Sequence, residues 1–375
     1  MPGLLPNIDP DGLLEYSVVS TDRSLNHMSL CFQEVMKTIS TTLKNVYRAK
    51  SVAIVPGGGT FAMEAVARQF ANDKKCLVIR NGWFSFRWSQ ILDSGNIPSK
   101  CTVLKARRLN NSTDAAFAPP PIQTVLKTIE EISPDLVFAP HGETSSGIIL
   151  PDSYISSLSD AVHSVGGLLV LDCIASGAIW VNMKNCGVDI LLSAPQKSWS
   201  SSPSSGLVMF GPLALERIRS TSSTSFACDL HKWLQIMEAY EGGGYAYHTT
   251  MPTDSLLGLY NMIQKMEKYG FEKLHKRQQQ LGNQVRALLV SKGIKSVAAE
   301  GFQAPGVVVS YTDKIGIHNG DKFLNAGLQI AAGVPLACDE PEDFKTFRLG
   351  LFGFDKLLNI DRTIETLNTA LSQIF

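Results

Sequence analysis

Three short stretches of this 375-residue chain place reactive residue types where chemistry can be done. The first, "VDILLSAPQKSWSSSPSSG" (Val188 to Gly206), holds a single lysine, Lys197, behind an apolar run. No acidic residue between Asp189 and Gly206 pairs with it, so it is either a solvated loop cation or a reactive amine. The second, "LLVLDCIAS", ends an apolar run in Asp172. A carboxylate at the end of a strand covered on both faces must meet a cation or donors, or else cap the next turn. The third, "VPGGGTFAMEA", reads as a strand, three glycines and a helix start. Such a turn offers free backbone N–H groups and the positive helix end to a phosphate, or is only a turn. Gly57, Gly59 and Ala62 satisfy a permissive dinucleotide pattern, but the next strand ends in Arg80-Asn81 instead of a ribose-binding acid, and the P-loop lysine is absent.

The elements that must position these residues are legible as alternating runs. Seven strands are predicted: Ser51 to Val55, Cys76 to Arg80, Cys101 to Lys105, Asp135 to Ala139, Leu168 to Asp172, Asp189 to Ser193 and Gly206 to Phe210. Several are apolar throughout, which suits strands covered on both faces. Amphipathic stretches such as "FAMEAVARQFA" (Phe61 to Ala71) and "SYISSLSDAVHSV" (Ser153 to Val165) lie between them. The alternation predicts an α/β fold with a mostly parallel seven-stranded sheet flanked by helices. From Leu256 a long helical run leads into "GVVVSY" (Gly306 to Tyr311) and a last helix, "IDRTIETLNTALSQIF". The expected division is an N-terminal segment (1–20), a large domain (21–255) and a smaller α+β domain (256–375).

Composition narrows the class. Hydrophobic residues make up 44% and charged residues 18%, an ordinary globular balance. With 34 basic and 34 acidic residues the net charge is zero, so nothing electrostatic favours nucleic acid or a membrane surface. Seven cysteines without a CxxC pair are read as reduced, the expected compartment as the cytoplasm, and no metal is expected. "MPGLLPNIDPDG" lacks the pattern of a signal peptide, and no apolar run approaches the roughly 20 residues of a membrane span.

Ligands of open α/β sheets bind outside the carboxyl ends of the strands. The glycine turn, Asp172 and Lys197 all follow strand ends, so they can converge on one ligand with a phosphate, a cationic ring nitrogen and an aldehyde. Pyridoxal 5′-phosphate has those three handles. The segments "GGGTFAMEA", "RNGWFSFR", "HGETSSGIILP", "LLVLDCIASGA", "DILLSAPQKSWSSSPSSGLVMF", "YHTTMPTDSLLGLY" and "FRLGLFG" occur in an order that resembles the class V (fold type I) pyridoxal-phosphate aminotransferases, nearest the alanine–glyoxylate and serine–pyruvate branch. The resemblance runs from about residue 25 to the end.

That resemblance implies a role for each matching residue. Lys197 is the lysine joined to the cofactor's aldehyde, and Asp172 holds the pyridine nitrogen protonated. Gly58, Gly59, Thr60 and Gln196 contact the phosphate. The family usually has Ser, Gly and His in the turn, so Gly58 and Thr60 depart from it and contacts are expected to shift to backbone N–H groups. Phe84 stacks on the cofactor ring, with Trp83 blurring the alignment by one, and Thr144 contacts the side of the ring oxygen. His141 and Glu143 are structural rather than acid–base groups. Tyr247 and Thr250 reach the phosphate of the other subunit, which implies a homodimer with shared sites, and Arg348 forks onto the substrate carboxylate. The implied activity moves an amino group from a small amino acid of alanine or serine type to a 2-oxo acid of glyoxylate or pyruvate type, by ping-pong kinetics.

Three other readings stand beside it. The donor can be an aminophosphonate; Arg23 is either a solvated loop residue or reads a distal acid such as a phosphonate or carboxylate. A cysteine desulfurase-like lyase would use Cys338, but that residue lies ten positions before Arg348, too near for that family, and Gln196 and Phe84 stand where desulfurases have His. A non-enzymatic binding module leaves the coincidence of lysine, aspartate and arginine unexplained.

Overall fold

In the computed structural model, which describes Val18 and residues 25–375, the apolar runs become the strands of one sheet. These are β1 (Ser51–Pro56), β2 (Lys75–Arg80), β3 (Lys100–Lys105), β4 (Leu136–Pro140), β5 (Leu168–Asp172), β6 (Ile190–Ser193) and β7 (Ser205–Phe210). Their order across the sheet is β1-β7-β6-β5-β4-β2-β3. Every residue of β4, β5, β6 and β7 is buried, which is why these runs show no polar alternation. Neighbours from β6 through to β3 run parallel, while β7 pairs antiparallel with both β1 and β6. The seven expected strands are all present and the sheet is mostly parallel; the reversed direction of β7 carries no signature in its residues.

Helices connect and cover the strands: α1 (Leu30–Tyr47), α2 (Gly59–Phe70), α3 (Trp83–Ser94), α4 (Ile122–Ile132) and α5 (Asp152–Ser164). They are followed by α6 (Leu230–Glu241), α7 (Thr253–Tyr269), α8 (Phe271–Ser291) and α9 (Ile360–Ile374). The run from Leu256 reads as one long helix in sequence but is two, because Gly270 breaks it with φ of 103°. Helix α7 packs against α1. The C-terminal part adds a three-stranded antiparallel sheet of β8 (Val307–Tyr311), β9 (Ala331–Ala332) and β10 (Thr346–Gly350), in the order β8-β10-β9, so the fold is α/β with a smaller C-terminal α+β part.

Two contacts set helices against the sheet where the site forms. Trp88 of α3 is fully buried, its ring 4.4 Å from that of Phe138 on β4. Gly206 of β7 lies under the first turn of α2, where a methyl group would overlap Ala62 Cβ and stand 2.9 Å from Gly58 O. Only a residue without a Cβ lets helix and strand approach so closely. Gly206→Ala should therefore push the start of α2 off the sheet and cost about 1–3 kcal/mol of stability. A urea midpoint equal to that of the unsubstituted protein would show that this packing has slack.

Candidate active site

The carboxyl ends of β1, β2, β5 and β6 feed the residues singled out in the sequence into one region. Asp172, the last residue of β5, lies opposite Leu192 of β6 and Pro140 of β4. Its Oδ1 accepts the Ile174 N–H at 2.9 Å. Burial pushes its carboxyl up to about 7; the Ile174 bond and Lys197 oppose the rise, and Glu143 adds to it. Lys197 lies four residues beyond β6, its Nζ 5.2 Å from the centre of the Phe352 ring. Its pKa is lowered, first by burial and then by the Arg348 guanidinium, against the pull of Asp172 and Glu143. Lysine, aspartate and arginine therefore share one electrostatic field.

Arg348 sits in β10 between Val309 and Ala331, its Nε donating to Ala332 O at 2.7 Å. Its guanidinium carbon lies 5.6 Å from the centre of the Phe84 ring. Phe84 thus lines the site, whereas Trp83 packs on Phe86 with ring centres 5.6 Å apart. Arg87 places its guanidinium 5.5 Å from the centre of the same ring and donates to Thr60 Oγ1 at 3.0 Å. Arg87 was not singled out in the sequence. The available signal was its spacing, since positions three apart share a helix face and α3 carries Phe84.

The start of α3 is held by Glu143, which is 1% exposed. Its carboxylate accepts the N–H groups of Phe84 (3.2 Å), Ser85 (2.8 Å) and Ser145 (3.1 Å) and the hydroxyls of Ser85 and Ser145 (both 2.7 Å). Thr144 is buried between these partners in sequence. His141 is buried with Nδ1 2.7 Å from Ser176 Oγ, and burial, with a smaller effect of His275, lowers its pKa to about 3, so it stays neutral at physiological pH. Cys338 is also buried; its thiol is within 3.4 Å of Arg80 O, and burial pushes it up to about 12. That is not the setting of an exposed thiolate nucleophile.

The residues present fit pyridoxal phosphate. The first turn of α2 has no side-chain cap, and around the Cβ position of Gly58 there is open space. At Gly59 a methyl group would stand 2.6 Å from Ile174 Cδ1, so a residue without a Cβ lets this turn pack against the loop after β5. Gln196 Oε1 is buried without a hydrogen bond, a donor-seeking atom next to Lys197. Tyr247 and Thr250 lie apart from this cluster: Tyr247 is 65% exposed, its hydroxyl 3.4 Å from Thr250 Oγ1. Arg23 lies outside the described residues. Among the described residues no group of His, Cys, Asp and Glu is arranged to hold a metal, and no helix is long and apolar enough to cross a membrane.

The raised pKa of Asp172 has a consequence for stability. A folded-state pKa of about 7 lies above the ordinary 3.8, so the group's contribution is full below about pH 4 and is lost as the pH rises through 7. With cofactor removed, Asp172→Asn should melt at a higher temperature than the unsubstituted protein at pH 8, and the advantage should shrink at pH 5. A difference in melting temperature that does not change with pH would refute this ionisation.

Comparison with known proteins agrees with the geometry. The family model described as aminotransferase class-V matches residues 12–345. Alanine–glyoxylate aminotransferase of Rattus norvegicus is 25% identical over 364 residues, covering 93% of this chain and 82% of that protein. A 2-aminoethylphosphonate–pyruvate transaminase of Vibrio parahaemolyticus is 25% identical over 286 residues, covering 74% of this chain and 72% of its own. The crystal structure of an alanine–glyoxylate aminotransferase from Nostoc sp. superposes with a TM-score of 0.77 at 20% identity, covering 93% of this chain and 89% of that one, which shows the fold. The chain belongs to the class-V aminotransferase family, the pyridoxal-phosphate-dependent transaminases.

Proposed function

We propose that this transaminase takes the amino group of a small amino acid of alanine or serine type and delivers it to a 2-oxo acid of glyoxylate or pyruvate type, in two alternating half-reactions. The observation that carries the reading is the convergence of Lys197, Asp172 and Arg348 in one field. The sequence relatives named for alanine–glyoxylate transfer support the substrate class.

When bound, pyridoxal phosphate supplies the electron sink and carries the amino group between the two acids. The chain's residues do the rest. The amides of Gly58, Gly59 and Thr60, with Gln196, hold the phosphate end. Asp172 would pair with the ring nitrogen and hold a proton on it, a pairing that would also draw the buried carboxylate into its charged form. Phe84 would stack on the ring and Thr144 would contact its oxygen side. Arg348 grips the α-carboxylate with two parallel N–H groups and so fixes which bond of the α-carbon faces Lys197. Lys197, whose pKa is lowered by burial and by Arg348, is the residue that moves the α-proton. His141 and Glu143 support the frame and transfer no proton.

A half-reaction screen tests the reading: cofactor-loaded enzyme is mixed with a panel of amines, and loss of its visible absorbance is followed. Alanine or serine should discharge the colour, and glyoxylate or pyruvate should restore it. Response to 2-aminoethylphosphonate alone would move the donor class, and sulfide release from cysteine would replace transfer with lyase chemistry. Arg348→Lys should raise KM for alanine at least tenfold while cofactor affinity holds.

The proposed assembly is a homodimer in which Tyr247 and Thr250 complete the partner's phosphate site. Their exposure on the single chain supports this. Mixing Lys197→Ala protein with Tyr247→Phe/Thr250→Ala protein should restore activity, because one site in each heterodimer is then free of substitutions. No recovery after proven subunit exchange means that each chain builds its site alone.

A further inference from the structure

The turn before α2 offers a phosphate little beyond its backbone. Gly57, Gly58 and Gly59 have no side chains, and Thr60 contributes one neutral hydroxyl. A helix N-terminus supplies about half a positive charge, against a group that carries close to two negative ones. A full cation stands at this spot, on a different helix. Arg87 reaches from α3 to Thr60 at the first turn of α2, 3.0 Å from Nη1 to Oγ1.

We infer that Arg87 binds the 5′-phosphate of the cofactor, supplying the charge that the glycine turn lacks. The inference rests on the reading of this region as a pyridoxal-phosphate site. Three observations carry it. A guanidinium only donates, so in the Arg87–Thr60 bond the hydroxyl is the acceptor and its own proton remains available for a phosphate oxygen. Among the described residues, no carboxylate pairs with Arg87, although its charge is felt at both Asp172 and Lys197. Its guanidinium lies against Phe84, whose ring has Arg348 at nearly the same distance. The two arginines thus divide the work around one ring: Arg348 takes the α-carboxylate, and Arg87 takes the phosphate.

Pyridoxal separates this role from its alternatives, because it keeps the ring and aldehyde but has no phosphate. Equilibrium binding of pyridoxal phosphate and of pyridoxal, followed by visible absorbance, is measured on the full-length protein and its variants. Arg87→Gln should weaken pyridoxal phosphate at least tenfold and leave pyridoxal unchanged. Arg87→Lys should recover part of the loss, since it keeps the charge without the planar fork. Thr60→Val should also weaken the phosphate form selectively, by a smaller factor, and it keeps the proposal testable should Arg87→Gln fail to fold. Equal weakening of both ligands would make Arg87 a structural residue and overturn the inference. Unchanged binding of both, with a raised KM for an acidic substrate, would reassign it to substrate recognition. If the unsubstituted protein binds pyridoxal but not its phosphate, the inference alone fails. If it binds neither, the cofactor reading fails first.

Discussion

The active region depends on one buried carboxylate. Glu143 accepts three backbone N–H groups and two hydroxyls, and so joins the loop after β4 to the first turn of α3. The negative charge sits at the positive end of that helix, where dipole and direct hydrogen bonds stabilise it together. Everything α3 contributes is aimed by this joint: Phe84 is bonded to it through its own N–H, and Arg87 follows one turn later. The same charge also acts through space on Asp172, Lys197 and Arg348. An acid that transfers no proton thus fixes both the geometry and part of the potential of the site.

Burial is the second organising influence, and its effect differs from group to group. It raises the carboxyl of Asp172, lowers the amine of Lys197 and keeps His141 neutral. Each shift opposes the charged form in the protein alone. The cationic ring nitrogen and anionic substrate would supply the missing counter-charges, so the pocket is built to be completed by ligands. Part of the folding free energy is held back at Asp172 for that purpose.

What the sequence made legible follows from what side-chain pattern encodes. Strands buried on both faces announce themselves as apolar runs, so all seven strands of the main sheet could be placed, and the residues after their ends with them. Strand direction leaves no such mark, which is why the reversal of β7 had to come from the structure. Phe84 and Trp83 could not be told apart by spacing, because a one-residue ambiguity at a helix start rotates the chain by about 100°. The structure places Phe84 near two arginines and Trp83 against Phe86. Arg87 was hidden for a different reason: its partner is Thr60, on another helix, and no local pattern joins them.

The position of β1 affects the order in which the molecule can be assembled. This strand is at the sheet's edge, and its strand partner is β7, with Ser51 opposite Phe210. The first strand among the described residues is therefore among the last that can be seated, because about 150 residues must be made before its neighbour exists. The glycine turn follows β1 directly, and Gly57 N–H is itself held by Ser204 O. On a ribosome, the five strands β2 to β6 can pair in parallel while the glycine turn still lacks a place to dock. Loop closure over so long a separation is slow relative to local pairing. The glycine turn is consequently tied to the closing step of sheet assembly, and a chain whose Gly57 is held by Ser204 has already passed that step.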